Sequence, residues 1–470
     1  MNHLDYFAAA QRPVETCVVG SGGFGRSFLA QGRRVPLMHA RIAVDVDAAI
    51  AAAGFTALGV PANDVAVCHG ADEARRAWDD GRFIAAADLA VVVDLPIDVV
   101  VEATGSPEAG ARHSRMAIAA GHHLVLVSKE VDSVVGPMLA HLAQQRGRVV
   151  TPVDGDQPSL LIGLITWAQA LGFDIVAAGK SSEYDFVYDA ETATMTSNGK
   201  TVATPDFAAH WALGSRPAAE VANDRAAACA ALPQRAVPDL CELLVVANAT
   251  GFLPDCADLH APIARIPEVP SFFGVASAGG LLARAGTLDV FHCLRRPDEA
   301  SFAGGVYVIV ACDDRETWDL LAAKGHVVSR DGQRAMVYLP RHLLGLEAAT
   351  SVLDAAIHGR SSGAVSPRPR LDLVARATRP LQAGTVLAMG GHHHSIDGAA
   401  AELQPARPLG AGAPVPFYLA ANRRLVRDVA AGAAIACDDV EIDPASVLLA
   451  LRRQQDECFF GRPDAATQSA

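Results

Sequence analysis

The sequence contains no C-x-x-C pair, and its nine cysteines, an odd number, lie scattered at positions 17, 68, 229, 241, 256, 293, 312, 437 and 458. That pattern excludes a disulfide scaffold or a structural zinc ribbon and leaves reduced, mostly buried thiols. Basic residues are in deficit: 39 Lys and Arg stand against 52 Asp and Glu, a formal net charge of −13. Nucleic acid is thereby excluded as the main partner, because binding to a phosphate backbone needs a basic face. A small anionic substrate held by a local cluster of Lys or Arg stays compatible with this balance. No apolar run reaches the roughly 18 residues of a membrane span, and the first 13 residues lack the basic start and apolar centre of a signal peptide. The expectation is a cytoplasmic protein with a small-molecule substrate and neither a membrane nor a nucleic-acid partner.

With 51% hydrophobic and 19% charged residues, the composition is that of a compact folded chain, and 470 residues suffice for about three domains. The most informative stretch is Val14–Arg26, where an apolar strand runs into Gly20-Ser21-Gly22-Gly23-Phe24-Gly25 and then into an amphipathic helix. In this G-x-G-x-x-G, Gly20 permits a tight turn, Gly22 admits a pyrophosphate to the backbone, and Gly25 lets the helix pack on the strand. Gly23 and Phe24 complete the loop, and the phosphates would meet the free N–H groups of the helix start. A second apolar run, 40–45, ends in Asp45, 20 residues after Gly25, where a ribose-binding carboxylate is expected.

Strand and helix signals then alternate. Ile97–Gly105 reads as a buried parallel strand ending in Thr104-Gly105, and 109–120 as a helix. His123–Ser128 is a strand closing on Lys129-Glu130, followed by a helix over 136–146 and a strand over 148–152. This is the pattern of a doubly wound parallel sheet. Residues from 154 onward change character: a helix starts within Gly155-Asp156-Gln157-Pro158-Ser159, and Phe173–Lys180 is a strand ending in lysine. The stretch 185–240 is turn-rich and reads as long loops with a helix over 218–230; a helix over 240–249 and a strand over 305–311 follow. Residues 360–370 have linker composition, and short apolar runs broken by Gly and Pro beyond them suggest a small β-rich module with few helices. The expected class is α/β: a Rossmann domain over 1–153, a central α+β substrate and oligomerisation domain over 154–365, and a β-rich module over 366–470.

Several of these segments resemble the homoserine dehydrogenase-like oxidoreductases, and more closely the bacterial branch carrying a C-terminal SAF domain, which includes 1-deoxy-D-xylulose 5-phosphate reductoisomerase-like enzymes. The residues that carry the resemblance are Gly20–Gly25, Val101-Glu102-Ala103-Thr104-Gly105, Ser128-Lys129-Glu130, Gly155–Ser159, Glu242–Gly251, Pro340–Leu343 and Ala377–Gly384. The resemblance implies a Rossmann fold, an NAD(P) cofactor, a homo-oligomer (dimer or tetramer) and a SAF-like last module. It also implies a place near the nicotinamide for Lys129. The D-x-x-x-K pattern that carries a second lysine in homoserine dehydrogenases is absent from its expected place.

Reducing a carbonyl requires a hydride donor held against the carbon and a cation or acid near the oxygen. Lys129 and Lys180, each at a predicted strand end where α/β sheets bind ligands, are the candidates for that cation. Asp156 and Glu242 are the candidate proton carriers, with a helix-capping role for Asp156 of nearly equal weight. No metal site is assigned; were a divalent metal used for an isomerisation before reduction, Asp156, Glu183 and Glu242 would be its hard-oxygen ligands. His392-His393-His394 reads as an exposed loop, His122-His123 as a turn pair, and Arg341-His342 as either an anion contact or a helix-start packing pair. The cofactor-binding residues are then Gly20, Gly22, Gly23, Phe24, Gly25, Asp45, Thr104, Gly105 and Lys129. Asp45 favours NAD, whereas the nearby Arg33, Arg34 and Arg41 and the resemblance favour NADP. The expected activity is hydride transfer between nicotinamide and a small hydroxy or oxo substrate, with reductoisomerase-like chemistry first. Oxidation of homoserine or a sugar acid is the alternative, and a non-catalytic nucleotide sensor or carbohydrate-binding protein is the rival from another class.

Overall fold

A computed structural model describes residues 2–391 and 394–461; His392 and His393 of the histidine run lie outside the described residues. The chain divides into two compact units, Met1–Ser159 with Leu343–Ala470, and Leu160–His342. The first is discontinuous, so residues 343–365 belong with the nucleotide-type sheet rather than with the expected central domain.

In the first unit, β1 (Val14–Val19), β2 (Met38–Val44), β3 (Val65–Cys68), β4 (Phe83–Ala86), β5 (Val99–Glu102), β6 (His123–Leu126) and β7 (Val150–Pro152) form one sheet in the order β3-β4-β2-β1-β5-β6-β7. Every pairing in it is parallel. The central strands are valine-rich because helices cover both faces, and Val18, Val99, Val100 and Val101 are wholly buried. The sheet is the α/β doubly wound architecture expected, with its order reversing between β1 and β5. Helix Lys129–Gln144 starts seven residues earlier than the sequence suggested. This places Lys129 in the first turn of a helix, where Ser128 is the N-cap residue.

The C-terminal segment folds into this same unit. Strand Leu371–Ala377 pairs antiparallel with Ala399–Pro405, and the run 416–419 forms a short helix, Phe417–Ala420, rather than a strand. The final helix, Val447–Phe460, was not anticipated. Its fully buried Arg452 binds Asp372 at 2.6 Å and Asp456 at 2.8 Å, anchoring it to the module. Gln455 reaches the helix Lys129–Gln144 beside Pro137, accepting from the Met138 N–H at 3.2 Å and donating to the Val134 carbonyl at 3.1 Å. Both groups lie beside Pro137, which interrupts the helix ladder, and the side-chain amide bridges them.

The second unit is built on a mixed ten-stranded sheet. At its centre, strand Ile175–Ser181 runs parallel to Thr287–Arg295 and antiparallel to Val306–Ala311. The stretch expected as long loops instead forms three antiparallel strands, Phe186–Asp189, Thr194–Ser197 and Lys200–Ala203. Its core gathers Phe272, Phe273, Phe291, Phe302 and Tyr307. Among the described residues, no helix is long and apolar enough to cross a membrane.

Candidate active site

The first unit presents a nucleotide-type cradle at the end of β1. Gly20 sits at φ +102°, and a Cβ there would lie 2.5 Å from the Ala103 carbonyl oxygen at the end of β5. A Cβ on Gly25 would run into the Gly20 carbonyl oxygen, which is why the helix can approach the strand only with glycine at this position. Gly22, the N-cap of helix Gly23–Gly32, has no side chain to cap it, and the Cβ positions of Gly22 and Gly23 face open space. Phe24 follows in the first turn. Open N–H groups at a helix start without an acidic residue in the first turn are suited to a pyrophosphate. Asp45 leaves β2 and turns to this loop, its carboxylate accepting from Ser21 N–H at 2.7 Å and from Val46 N–H at 2.8 Å.

At the end of β5, the Thr104 hydroxyl donates to the fully buried Glu102 at 2.6 Å. Gly105, at φ +65°, donates its N–H to Ser128 Oγ at 2.8 Å, which ties the ends of β5 and β6 together. Lys129 and the buried Glu130 follow at the helix start. Glu130 accepts from His394 Nδ1 at 2.5 Å, so the one described member of the histidine run is bound to the sheet's edge rather than standing in an exposed loop. Its pKa is raised because the Glu130 hydrogen bond outweighs burial and the nearby Lys129 charge.

His122 and His123 do not form an acid–base pair. Both ring nitrogens of His122 face backbone carbonyls, Ile97 at 2.8 Å and Val93 at 2.6 Å. His123 accepts from Val149 N–H, and burial followed by the Arg148 charge lowers its pKa to about 4. Asp156 accepts from the N–H of the adjacent Gln157 at 2.9 Å, at the start of helix Gln157–Ala170.

The second unit holds a buried charge cluster. Lys180 is the penultimate residue of strand Ile175–Ser181, at the strand end expected, but it is wholly buried. Its ammonium donates to Asp239 at 2.8 Å and to Glu242. Both carboxylates come from the first two turns of helix Val237–Thr250, where i,i+3 spacing puts them on one face. Burial pushes the Asp239 carboxyl up, but the charges of Lys180 and His292 and hydrogen bonds from Lys180 and Ser182 hold it below the usual range. Glu242 was legible in the sequence; Asp239 was not, because only the pairing with Lys180 distinguishes it from an ordinary helix-start carboxylate. The ammonium occupies the position between the two carboxylates that a divalent ion would need, so this donor set fits Lys180 and not a metal. No cluster of three or more metal-type ligands occurs among the described residues.

A further polar group went unread in the sequence. His260 Nδ1 lies 2.5 Å from the buried Asp289 and 3.9 Å from Cys256 Sγ, and its pKa is raised to about 10, first by the Asp289 hydrogen bond and then by Cys256. Leu259 and Ala261 on either side have positive φ, a strain that marks a conformation imposed by the surroundings. His342 packs against Gly304 in a loop, where a Cβ would lie 2.7 Å from its Nδ1.

A seven-stranded parallel sheet with an open glycine loop at its switch point is the architecture in which dinucleotides bind. Residues 155–235 and 237–348 match the family model described as oxidoreductase DRL, catalytic domain. No curated protein matches the sequence. Among solved structures, the chain is similar to a DOX-P reductoisomerase in complex with NADPH, fosmidomycin and magnesium. That similarity has 20% identity and a TM-score of 0.27, covering 36% of this chain and 45% of that one. Similarity also extends to 1-deoxy-D-xylulose 5-phosphate reductoisomerase from Zymomonas mobilis in complex with NADPH, at 16% identity and a TM-score of 0.27, covering 37% and 46% of the two chains. An oxidoreductase from Bacillus cereus is similar at 12% identity and a TM-score of 0.33, covering 74% and 89%. The match spans less than half the length of the two reductoisomerases.

Proposed function

We propose that the chain reduces or oxidises a small hydroxy or oxo compound with NAD(P), in the manner of the reductoisomerase-like enzymes, and that its last module is SAF-like. The observation that carries this reading is the Gly20–Gly25 cradle, open at Gly22 and Gly23, in a chain whose residues 155–235 and 237–348 match an oxidoreductase catalytic domain. The cofactor, when bound, supplies or accepts the hydride. Gly20, Gly22, Gly23, Phe24 and Gly25 would hold its pyrophosphate, Asp45 its adenine-side ribose, and Thr104, Gly105 and Lys129 its nicotinamide half. The Lys129 ammonium would stand by the substrate oxygen, where charge develops as the hydride moves. In the second unit, Lys180, Asp239 and Glu242 form a preorganised group able to hold a proton on nitrogen or oxygen with little rearrangement. Asp156, at the start of helix Gln157–Ala170, is given no step.

The test is oxidation of NADH and of NADPH by the purified protein against 1-deoxy-D-xylulose 5-phosphate and aspartate semialdehyde, with Lys129→Ala in parallel. Turnover with either substrate that falls at least 100-fold in the variant supports the assignment. Turnover unaffected by the substitution removes Lys129 from the chemistry. Asp45→Ala is expected to weaken NADH binding and improve NADPH binding, measured as the ratio of the two dissociation constants, because the carboxylate accepts a 2′-hydroxyl and repels a 2′-phosphate.

A further inference from the structure

His394 reaches the first unit's sheet from a hairpin remote in sequence, in which Met389–Gly390 pairs with Ser395–Ile396. Its ring lies on the Cα of Gly105: a Cβ there would collide with Cε1 and stand 3.1 Å from both ring nitrogens. Gly105 is therefore glycine for two separate reasons, its φ of +65° and the ring laid against it. Three segments meet at this point: the end of β5, the helix start at Ser128-Lys129-Glu130, and the hairpin. They meet beyond the carboxyl ends of parallel strands, where sheets of this class bind their ligands.

The electrostatics are specific. Nδ1 is engaged by Glu130 at 2.5 Å, and that bond raises the histidine's pKa, while burial and Lys129 pull it down. An imidazolium held in this way presents Nε2–H as its second donor. The charged groups that face it are Glu130 and Lys129. A donor so fixed beyond the carboxyl ends of β5 and β6 fits an acceptor oxygen of a ligand lying beside the ring, which itself covers Gly105.

We propose that His394 is a binding residue of the dinucleotide site, donating from Nε2 to an oxygen on the nicotinamide half, so that the C-terminal module completes a site the Rossmann sheet begins. The inference rests on the assignment of Gly105 and Lys129 to the nicotinamide half.

The experiment measures binding of NADH and of 5′-AMP to the full-length protein by titration calorimetry, for the wild type, His394→Ala and Glu130→Gln, between pH 6 and 9. AMP probes the adenine half alone. His394→Ala is expected to weaken NADH about tenfold and leave AMP unchanged, the loss of one charge-assisted hydrogen bond. Wild-type NADH affinity is expected to fall as pH rises through the raised pKa of His394. In Glu130→Gln that fall should move to lower pH, a displacement that a purely structural role would not produce. Equal NADH affinity in wild type and His394→Ala overturns the proposal, and so does tighter binding in the variant, which would make the ring an occluder. Failure of the wild type to bind either ligand overturns the cofactor assignment beneath it, and the two failures are thereby distinguished.

Discussion

Lys180 shows how far a residue's surroundings can outrun its sequence context. The pattern Phe173–Lys180 marks it as the polar end of a strand, which reads as surface or edge, yet it is wholly buried between Asp239 and Glu242. Nothing local announces this, since Asp239 and Glu242 lie about 60 positions away and their shared helix face becomes meaningful only once the strand packs beside it. Removing the ammonium would strand two carboxylates in the interior. Lys180→Met is accordingly expected to cost about 3–5 kcal/mol of unfolding free energy, read from urea denaturation of the purified variant. An unchanged midpoint would mean the carboxylates are protonated or solvated once the lysine is gone. By contrast, Gly20 and Gly25 were legible as glycines, because at this strand-to-helix turn a Cβ at either position would collide with backbone.

His260 belongs to the same scale and gives a pH dependence whose sign is fixed. Its pKa is raised from the ordinary imidazole range to about 10 by Asp289 and Cys256, so the folded state binds its proton more tightly than the unfolded chain. The resulting stabilisation is complete below about pH 6.5 and is lost as pH rises through about 10. In urea melts across that range, the stability difference between wild type and His260→Gln should shrink steadily with rising pH. A difference that grows would contradict the Asp289 pairing.

At the scale of elements, the alternation of β1 to β7 with helices was readable because valine-rich parallel strands and amphipathic helices have distinct periods. Two kinds of element were not. Strands Thr194–Ser197 and Lys200–Ala203 are composed of Thr, Ser, Met, Lys, Val and Ala with little apolar alternation, so their pairing, not their composition, makes them strands. Helix Val447–Phe460 mixes arginine, glutamine and acidic residues with its leucines, and its buried polar side chains, Arg452, Gln455 and Asp456, look like solvated positions until their partners appear. Gln455 bridges the helix backbone beside Pro137. Gln455→Leu, close in size, should remove both side-chain hydrogen bonds and cost about 1–3 kcal/mol, measured by chemical denaturation. Faster amide exchange at Met138 in the same variant would localise the loss.

For the whole molecule, the defining feature is that the first unit is made from both ends of the described chain, with the second inserted between Ser159 and Leu343. The linker-like composition of 360–370 suggested an independent last module, whereas Gln455 and His394 tie that region into the nucleotide-type unit by polar contacts that linker statistics do not register. Truncation after residue 365 is therefore expected to yield a protein whose first unit is digested rapidly by trypsin while a fragment near 160–342 survives. Survival of an intact 1–159 fragment would instead show that the parallel sheet stands without its C-terminal partners.

Continuity of this kind has a consequence for biosynthesis. Residues 160–342 can emerge from the ribosome and fold while the seven-stranded sheet, already synthesised, still awaits its last helix. At about 5–20 residues per second, the remaining segment takes on the order of ten seconds to appear. During that interval the face of helix Lys129–Gln144 that later packs against helix Val447–Phe460 is open to chaperones and to other nascent chains, so the delay between the synthesis of the two helices is a window in which misassembly competes with folding.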